Sequence, residues 1–215
     1  MGPAMTSTRP GTLSPDTSGR MDPRYPVPDP MSLERWFDDV LAAASAGAEW
    51  ALAELYRDLH PRILRYLRAL EPSEAEDLAS DVWLDVARGL ARFEGDERAF
   101  RAWAFTIARR RLIDLRRQRA RRATFPAEPG RLVEHGGQGD VEDEAMAGLA
   151  TEAALARIAA LPPDQAEVVL LRVLGGLRVG EVAEIMGKRP GTVRVLQHRA
   201  LRRLARQVSR ELVTE

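Results

Sequence analysis

The 215-residue sequence contains no cysteine, which excludes disulfide frameworks, thiolate zinc sites and cysteine nucleophiles. Aromatic residues make up only 6% of the chain, too few for an all-β sandwich or barrel built on aromatic strands. No apolar run approaches the ~18 residues that a membrane-spanning helix needs. The N-terminus also lacks the charged and then apolar pattern of a signal peptide. These absences favour a soluble, cytoplasmic protein that does not associate with membranes.

Charged residues are unevenly distributed along the chain, although the formal net charge is +0. Residues 98–122 contain ten arginines and one acid, and residues 185–210 contain eight lysines or arginines and no acid. Residues 124–150, which lie between these blocks, hold six acids and one arginine. Apolar residues make up 45% of the chain, enough for a buried core. The two basic blocks indicate more about a polyanionic partner than the net charge does.

Composition and periodicity divide the chain into four segments. Residues 1–32 hold seven of the fourteen prolines and are expected to form a disordered leader. Residues 33–122 have helical periodicity, residues 123–148 form an acidic linker with many glycines, and residues 149–215 are helical again. The sequence therefore predicts an all-α protein in which two small helical domains are joined by a flexible linker.

Local signals predict helix ends and buried faces in the first helical block. Pro61 is expected to begin a new turn or helix, and Ser73 with Glu76 fits a capping box. Asp96 is expected to cap the long helix that carries the first basic block. The side chains predicted to face the core are Leu52, Leu55, Tyr56, Leu59, Leu78, Val82, Trp83, Val86, Leu90, Phe100, Trp103, Ile107, Leu112 and Leu115.

The strongest motif lies in the second helical block. Residues 179–186 are expected to form a short helix, Gly187 a turn, and Pro190 the first residue of a second helix rich in cations. This arrangement follows the helix-turn-helix plan, in which the second helix enters the major groove of DNA. The side chains predicted to face the core from this second helix are Val193, Leu196, Ala200, Leu201, Leu204 and Val208.

The leading end of the second helix carries side chains suited to reading bases. Arginine can bond guanine, glutamine can bond adenine, and valine can contact a thymine methyl. The candidates are Thr192, Arg194, Val195, Gln197, His198 and Arg199, followed by Arg202, Arg203 and Arg206 for phosphates. A solvated cationic face is the alternative, but such a face would be expected to carry interspersed acids, and residues 185–210 have none.

The first basic block combines arginines with Phe100, Trp103 and Phe105. Aromatic rings beside cations suit single-stranded nucleic acid, whose bases stack while its phosphates are neutralised. The helical spacing of Phe100 and Trp103 equally suits a core, and the arginines alone would also fit a helix at a membrane surface. Composition leaves these alternatives open.

The helix predicted over residues 74–85 is acidic, with Asp77 and Asp81 one turn apart. Paired carboxylates can hold a metal or act as acid and base, but no histidine accompanies this pair. The chain also lacks a glycine-rich phosphate loop and a nucleophile elbow. The sequence therefore predicts no catalytic residue, no metal site and no cofactor, and the acidic helix alone fits a solvated face.

In its order of segments, the stretch from residue 36 to 212 resembles the extracytoplasmic-function (ECF) group of bacterial sigma factors, the smallest members of the sigma-70 family. The sequence AEDLASDVWL at 75–84 is similar to the region 2 helix that docks on polymerase. Residues 92–114 are similar to the part that reads and melts the −10 element. Residues 161–172 and 191–200 are similar to region 4, which reads the −35 element. The resemblance implies a region 2 helical bundle over 33–122 and a region 4 helix-turn-helix over 149–215.

The resemblance also implies partners and site residues for a chain that is itself no enzyme. The implied partners are core RNA polymerase, through its β′ clamp helices and β flap, promoter DNA and an anti-sigma factor. The implied −10 residues are Asp96, Arg98, Phe100, Arg101, Trp103, Arg109, Arg110, Arg116 and Arg117. The implied −35 residues are Arg189, Thr192, Arg194, Val195, Gln197, His198, Arg199 and Arg202. The implied polymerase-binding residues are Asp77, Asp81, Trp83 and Asp85.

Two departures from the family pattern lie in the −35 segment. Arg189 stands where a capping Ser or Thr is common, and Val195 and Leu196 stand where Ser and Arg are common. The usual −35 sequence is therefore not implied. The alternative function is a transcriptional regulator that binds duplex operator DNA without acting as a sigma subunit. A helical scaffold for acidic partners is a third possibility, but it leaves the second basic block unexplained.

Overall fold

Eight α-helices account for most of the residues that the computed structural model describes, namely 33–123 and 153–214. The N-terminal unit consists of α1 (Leu33–Ser45), α2 (Glu49–Leu70), α3 (Ala75–Gly89) and α4 (Glu97–Ala123). The C-terminal unit consists of α5 (helical over 153–159), α6 (Pro163–Val173), α7 (Val179–Met186) and α8 (Pro190–Thr214). These ranges contain no strand, so the all-α prediction is confirmed for them. The predicted leader, 1–32, and residues 124–148 of the predicted linker lie outside them.

The N-terminal unit closes around one apolar face of each of its helices, with α3 packed between α2 and α4. Most predicted core side chains are buried: Leu55, Leu59, Leu78, Val82, Trp83, Val86, Leu90, Phe100 and Leu112. Four others pack at the edge of this core: Leu52, Trp103, Ile107 and Leu115. The prediction for Tyr56 is wrong, because its side chain is 43% exposed. Its ring stacks on His60 and tilts against Trp83, outside the main core.

The predicted break at Pro61 is also wrong, since α2 runs without interruption through that residue. Proline lacks an N–H and costs a helix interior about 3 kcal/mol. On both sides of Pro61, however, α2 buries apolar side chains every four residues: Leu55, Leu59, Ile63 and Leu67. Each such burial contributes about 1.5–3 kcal/mol, so their sum exceeds the cost of the proline.

The capping box predicted ahead of α3 does not form. Residues Pro72–Glu74 make a 3-10 turn, and α3 begins without a side-chain cap. Glu76 pairs instead with Arg68 on α2, and Ser73 accepts a hydrogen bond from the Arg119 guanidinium at 3.3 Å. The two side chains that would have formed the local cap therefore contact arginines of α2 and α4 instead.

Two arginines near the end of α4 hold the connection between α2 and α3. The Arg116 guanidinium donates to the Leu70 carbonyl at 2.8 Å, and Arg119 donates to Glu74 at 2.8 Å and to Glu71. The predicted basic block is thus partly structural, because some of its cations bind groups within the N-terminal unit.

The C-terminal unit forms the predicted helix-turn-helix, with α7 ending at Met186 and α8 beginning at Pro190. Gly187 adopts a left-handed conformation (φ +63°), which suits glycine and lets the chain reverse direction between the helices. Val193 and Ala200 anchor α8 in the core, whereas Leu201, predicted to be buried, is 51% exposed. Leu201 lies 100° around the helix from Ala200, just beyond the narrow face that α6 and α7 cover. Leu196 and Leu204 are half-buried, and the side chain of Val208 lies outside the described residues.

The two units contact each other, because α4 packs against α7 and α2 against α6. Among the helices over 33–123 and 153–214, none is both long and apolar enough to cross a membrane.

Asp96 caps α4 as the sequence predicts, because its carboxylate accepts a hydrogen bond from the Ala99 N–H at 2.8 Å. We expect Asp96→Ala to lower the free energy of unfolding by about 1 kcal/mol, since the N–H then loses its acceptor. Asp96→Asn retains a capping oxygen and serves as the control. Urea unfolding followed by circular dichroism measures both variants, and an equal loss in Asn and Ala would contradict the capping role.

Candidate nucleic-acid and polymerase interfaces

The loop before α4, residues 93–96, is held by a cluster of aromatic rings. Phe93 stacks on Trp103 with ring centroids 5.1 Å apart and meets Phe100 edge-on at 5.5 Å. Phe100, a candidate for contact with a flipped base, is only 2% exposed and also contacts Phe37. The Phe100 ring therefore anchors the loop in the core and does not offer a face to a base in this conformation.

Trp103 lies directly against the backbone of α3 at Gly89. A Cβ added at Gly89 would lie 2.6 Å from the indole, so any side chain at this position would displace the ring. Phe93 and Trp103 line an open groove. Its charged lining residues are Arg88, Arg92, Arg110 and Arg111, together with the acids Asp85, Glu94 and Asp114. Sequence reasoning missed Phe93, Arg88 and Arg92, because only the fold brings α3 and the loop beside Trp103.

The predicted −10 arginines divide into paired and exposed side chains. Arg101 pairs with Glu97 at 2.7 Å and Arg109 with Glu167 at 2.7 Å, and Arg116 donates to a backbone carbonyl. Arg110 is 82% exposed at its side chain, and Arg117 is also exposed. Among the described residues, the acid near both is Asp114, 4.0 Å from Arg110 and 3.8 Å from Arg117, and exposed pairs of this kind contribute at most about 1 kcal/mol. Of the predicted −10 arginines, Arg110 and Arg117 are therefore the most accessible to phosphates.

The acidic helix α3 presents two kinds of carboxylate. Asp77 and Asp81 are exposed, whereas Asp85 is half-buried and bonded to Arg111 on α4 at 2.6–2.8 Å. This hydrogen bond to Asp85 is the main cause that raises the pKa of Arg111 above its usual value. Asp81 also approaches Arg111, at 3.6 Å. Asp85 thus holds α3 to α4, while Asp77 and Asp81 remain on the surface.

Apolar side chains accompany these surface acids. Leu84 on α3 is exposed, and so is Tyr56 on α2. Trp83 is buried behind Tyr56, with ring centroids 4.8 Å apart. Although Trp83 is one of the predicted polymerase-binding residues, it lies beneath the acidic surface of α3 and is not exposed on it. The exposed position of Tyr56 was not predictable from its helical spacing, which places it beside the buried Leu55.

The leading end of α8 projects away from the core. Val193 and Ala200 fix the opposite side of the helix, and the first turn contains no acid. Lys188, in the turn before α8, pairs with Asp164 on α6 at 2.9 Å and braces that turn. Most of the predicted −35 side chains are exposed: Arg189, Thr192, Arg194, Val195, His198, Arg199 and Arg202. Gln197 is half-buried.

One side of α4 faces the C-terminal unit. Asp96, Arg98 and Trp103 line a groove whose opposite wall is α7, with Glu181 and Glu184. No group of three or more potential metal ligands occurs among the residues that the structure describes.

Comparison with known proteins supports the resemblance noted in the sequence. Residues 55–122 match the family model for Sigma-70 region 2, and residues 151–204 match that for Sigma-70, region 4. Two solved structures share the fold: CnrH in complex with the cytosolic domain of CnrY, and RpoE from Bartonella quintana in complex with the anti-sigma factor NepR. CnrH has a TM-score of 0.54 and 21% identity and covers 80% of this chain and 96% of its own. The match with RpoE has a TM-score of 0.55 and 23% identity and covers 73% of this chain and 96% of the RpoE chain.

The curated relatives are more similar in sequence. The ECF RNA polymerase sigma factor ShbA of Streptomyces griseus is 36% identical over 170 residues, which cover 75% of this chain and 89% of ShbA. The ECF RNA polymerase sigma factor SigD of Mycobacterium tuberculosis is 35% identical over 179 residues, which cover 80% of this chain and 83% of SigD. With both region models matched and identity of this level over most of the chain, the protein belongs to the ECF RNA polymerase sigma factors.

Proposed function

We propose that this sigma factor binds core RNA polymerase and directs promoter-specific initiation, reading the −35 element through α8 and the −10 element through α4 and the loop before it. The observation that carries the proposal is the pairing of two different cationic surfaces in one chain. The C-terminal unit offers a cationic helix suited to a duplex groove. The N-terminal unit offers a groove lined by Phe93 and Trp103, with exposed arginines beside it, and this suits unpaired bases and their phosphates. A regulator that binds only duplex operators needs the first surface but not the second.

In the −35 complex, α8 would enter the major groove with its exposed arginines toward the bases. Arg194 and Arg199 suit guanine, and Val195 suits a thymine methyl group. Arg189 and Arg202, at either end of the reading face, suit phosphates. The usual side-chain cap is missing at Arg189, and a bound phosphate would satisfy the N–H groups of the first turn.

In the −10 complex, the groove lined by Phe93 and Trp103 would hold a base removed from the duplex. Unstacking a base costs a few kcal/mol, and stacking on the open side of this ring pair would offset that cost. Arg110 and Arg117 would follow the phosphates of the melted strand, because both are exposed and weakly paired. Phe100 would act indirectly, by holding Phe93 and Trp103 in place.

The surface for the polymerase would be the exposed side of α3 with the neighbouring part of α2. Asp77 and Asp81 supply negative charge, and Leu84 and Tyr56 supply apolar contact area. This combination suits a partner helix with basic and apolar side chains, which fits the proposed docking on the β′ clamp helices. Contact of the C-terminal unit with the β flap and regulation by an anti-sigma factor remain predictions from the family resemblance.

Transcription in vitro tests the proposed function. Purified core polymerase is incubated with the protein and a genomic template library, and the 5′ ends of the RNA are sequenced. We expect discrete start sites that depend on the protein and share a −35 and −10 pair. Sequence-specific binding of the free protein to duplex DNA, without any start sites, would favour the regulator instead.

Loss of a guanine contact should relax −35 discrimination. We expect Arg194→Ala or Arg199→Ala to reduce the preference for the matched −35 base by about 1–3 kcal/mol, or roughly 5- to 150-fold. Run-off transcription from templates with single −35 substitutions measures this preference. Arg202→Ala is the matched control, because loss of a phosphate contact should weaken all templates alike. Discrimination that is unchanged in both Arg194→Ala and Arg199→Ala would contradict the assignment.

Loss of the aromatic groove should impair promoter opening. We expect Trp103→Ala to reduce the open complex through the loss of about 1–3 kcal/mol of stacking on one base, while Trp103→Phe retains part of the effect. Fluorescence of 2-aminopurine placed in the −10 element reports the opening. Closed-complex formation on the same template should be unchanged. Normal opening by Trp103→Ala would show that the groove does not hold a base.

A further inference from the structure

One amide side chain is buried in the core of the C-terminal unit. Gln165, in the first turn of α6, is 6% exposed, and among the described residues it is the only buried side chain that carries an amide or a charge. Its amide oxygen accepts a hydrogen bond from the Arg203 guanidinium on α8 at 3.1 Å. Arginine can only donate, so the amide must turn its oxygen toward α8. Gln165 therefore makes a directed contact with the helix proposed to read the −35 element.

Packing alone would favour an apolar residue at position 165. Val168 and Val169, one turn further along the same side of α6, are buried and apolar. Burying an amide costs free energy unless the amide is hydrogen-bonded, and the bond does little more than offset that cost. The hydrogen bond between Gln165 and Arg203 therefore contributes more to the orientation of the two helices than to the free energy of unfolding.

The position of Arg203 on α8 gives this contact control over the rotation of the helix about its own axis. The buried anchors of α8, Val193 and Ala200, are small, and apolar contacts have no preferred direction. At 3.6 residues per turn, Arg203 lies about 40° around the helix from Arg199 and about 60° from Ala200. It thus stands between the face that projects outward and the face that is buried.

A small rotation of α8 would misplace all of its reading side chains together. With a radius of about 5–6 Å for a helix and its side chains, a rotation of about 10° moves a side-chain tip by roughly 1 Å. Hydrogen bonds form over a range of only about 0.5 Å. Such a rotation would therefore weaken every base contact that α8 makes, whichever residue makes it.

The residue before Gln165 holds another point of the same helix. Asp164 pairs with Lys188, in the turn before α8, at 2.9 Å. Pro190 and Arg203 are about 20 Å apart along α8 at about 1.5 Å per residue. Two consecutive residues of α6 thus hold α8 near its beginning and near its middle. The Asp164 side chain is 54% exposed and its pair contributes little, so the buried Gln165 contact is the stronger constraint.

We propose that Gln165 is a positioning residue for −35 recognition. By holding Arg203, it sets the rotation of α8 and so the direction in which the exposed side chains meet the bases. The inference rests on the proposed assignment of α8 to the −35 element. The cationic pattern of the sequence predicts a phosphate contact for Arg203, whereas in this proposal its guanidinium orients the helix. Gln165 itself contacts no base.

Discrimination among −35 sequences tests the proposal. Run-off transcription by core polymerase with the full-length chain is measured on a matched template and on templates with single substitutions at each −35 position. Gln165→Leu retains most of the side-chain volume and removes the acceptor. We expect the preference for the matched base to fall about five-fold or more at every position that the wild type distinguishes. Arg194→Ala, in contrast, should act mainly at one position.

These ratios separate positioning from a general loss of stability. A merely structural defect lowers the amount of active protein, reduces transcription from all templates alike and leaves the preferences unchanged. Urea unfolding followed by circular dichroism measures the stability of each variant independently.

Three further variants serve as controls. Gln207→Leu makes the same substitution at a half-buried position of α8 whose side-chain oxygen has no hydrogen-bond partner among the described residues, so the preferences should not change. Gln165→Glu retains an oxygen that accepts from Arg203 and should retain the preferences. Combining Gln165→Leu with Arg203→Met leaves neither partner unpaired, so it should restore the free energy of unfolding while the preferences stay low.

The possible outcomes distinguish the positioning role from the proposed function. Preferences in Gln165→Leu equal to those of the wild type would overturn the positioning role, and so would their recovery in the double variant or an equal loss in Gln207→Leu. In each of these cases, wild-type discrimination at −35 would show that the proposed function still holds. A wild-type chain that directs discrete start sites but ignores every −35 substitution would overturn the assignment of α8 and this inference with it.

Discussion

The contact between Trp103 and Gly89 is the constraint on which the groove proposed to bind the −10 strand depends. Because α3 has no side chain at residue 89, the indole lies on its backbone and α4 approaches α3 closely. Phe93 then stacks on the indole, and Phe100 fixes both rings from the core side. The position of the loop and the shape of the groove both depend on this one close approach. A larger residue at 89 would displace the indole and so disturb the proposed base site without itself contacting DNA.

The arginines of α4 fall into two groups: some bind groups within the N-terminal unit, and others are exposed to solvent. Near the end of the helix, Arg116 and Arg119 bind the connection between α2 and α3, while Arg111 binds Asp85. Arg110 and Arg117 remain exposed. A cationic helix can thus stabilise the unit that carries it and still present charge to phosphates. The division depends on which acids the neighbouring helices place within reach.

Features set by local sequence were predictable, and features set by tertiary contacts were not. The Asp96 cap, the turn at Gly187 and the start of α8 at Pro190 each depend on one or two neighbouring residues. The break at Pro61 failed to appear because core burial outweighs the cost of a proline, a balance that a local signal does not contain. The family and the charged surfaces were evident from motifs and composition. The Arg109–Glu167 pair spans 58 residues, so only the fold reveals it.

The shared use of Arg109 has a consequence for how its variants are read. In the structure this side chain binds Glu167, and the family resemblance implies that it contacts the −10 strand in the promoter complex. Replacing it therefore removes a favourable contact from both the starting and the final state, so the two losses partly cancel in any assay that reports their difference. A residue can in this way be central to two states and yet seem nearly neutral in a screen of transcriptional output. Its contribution to the stability of each state is seen only when the two states are measured separately.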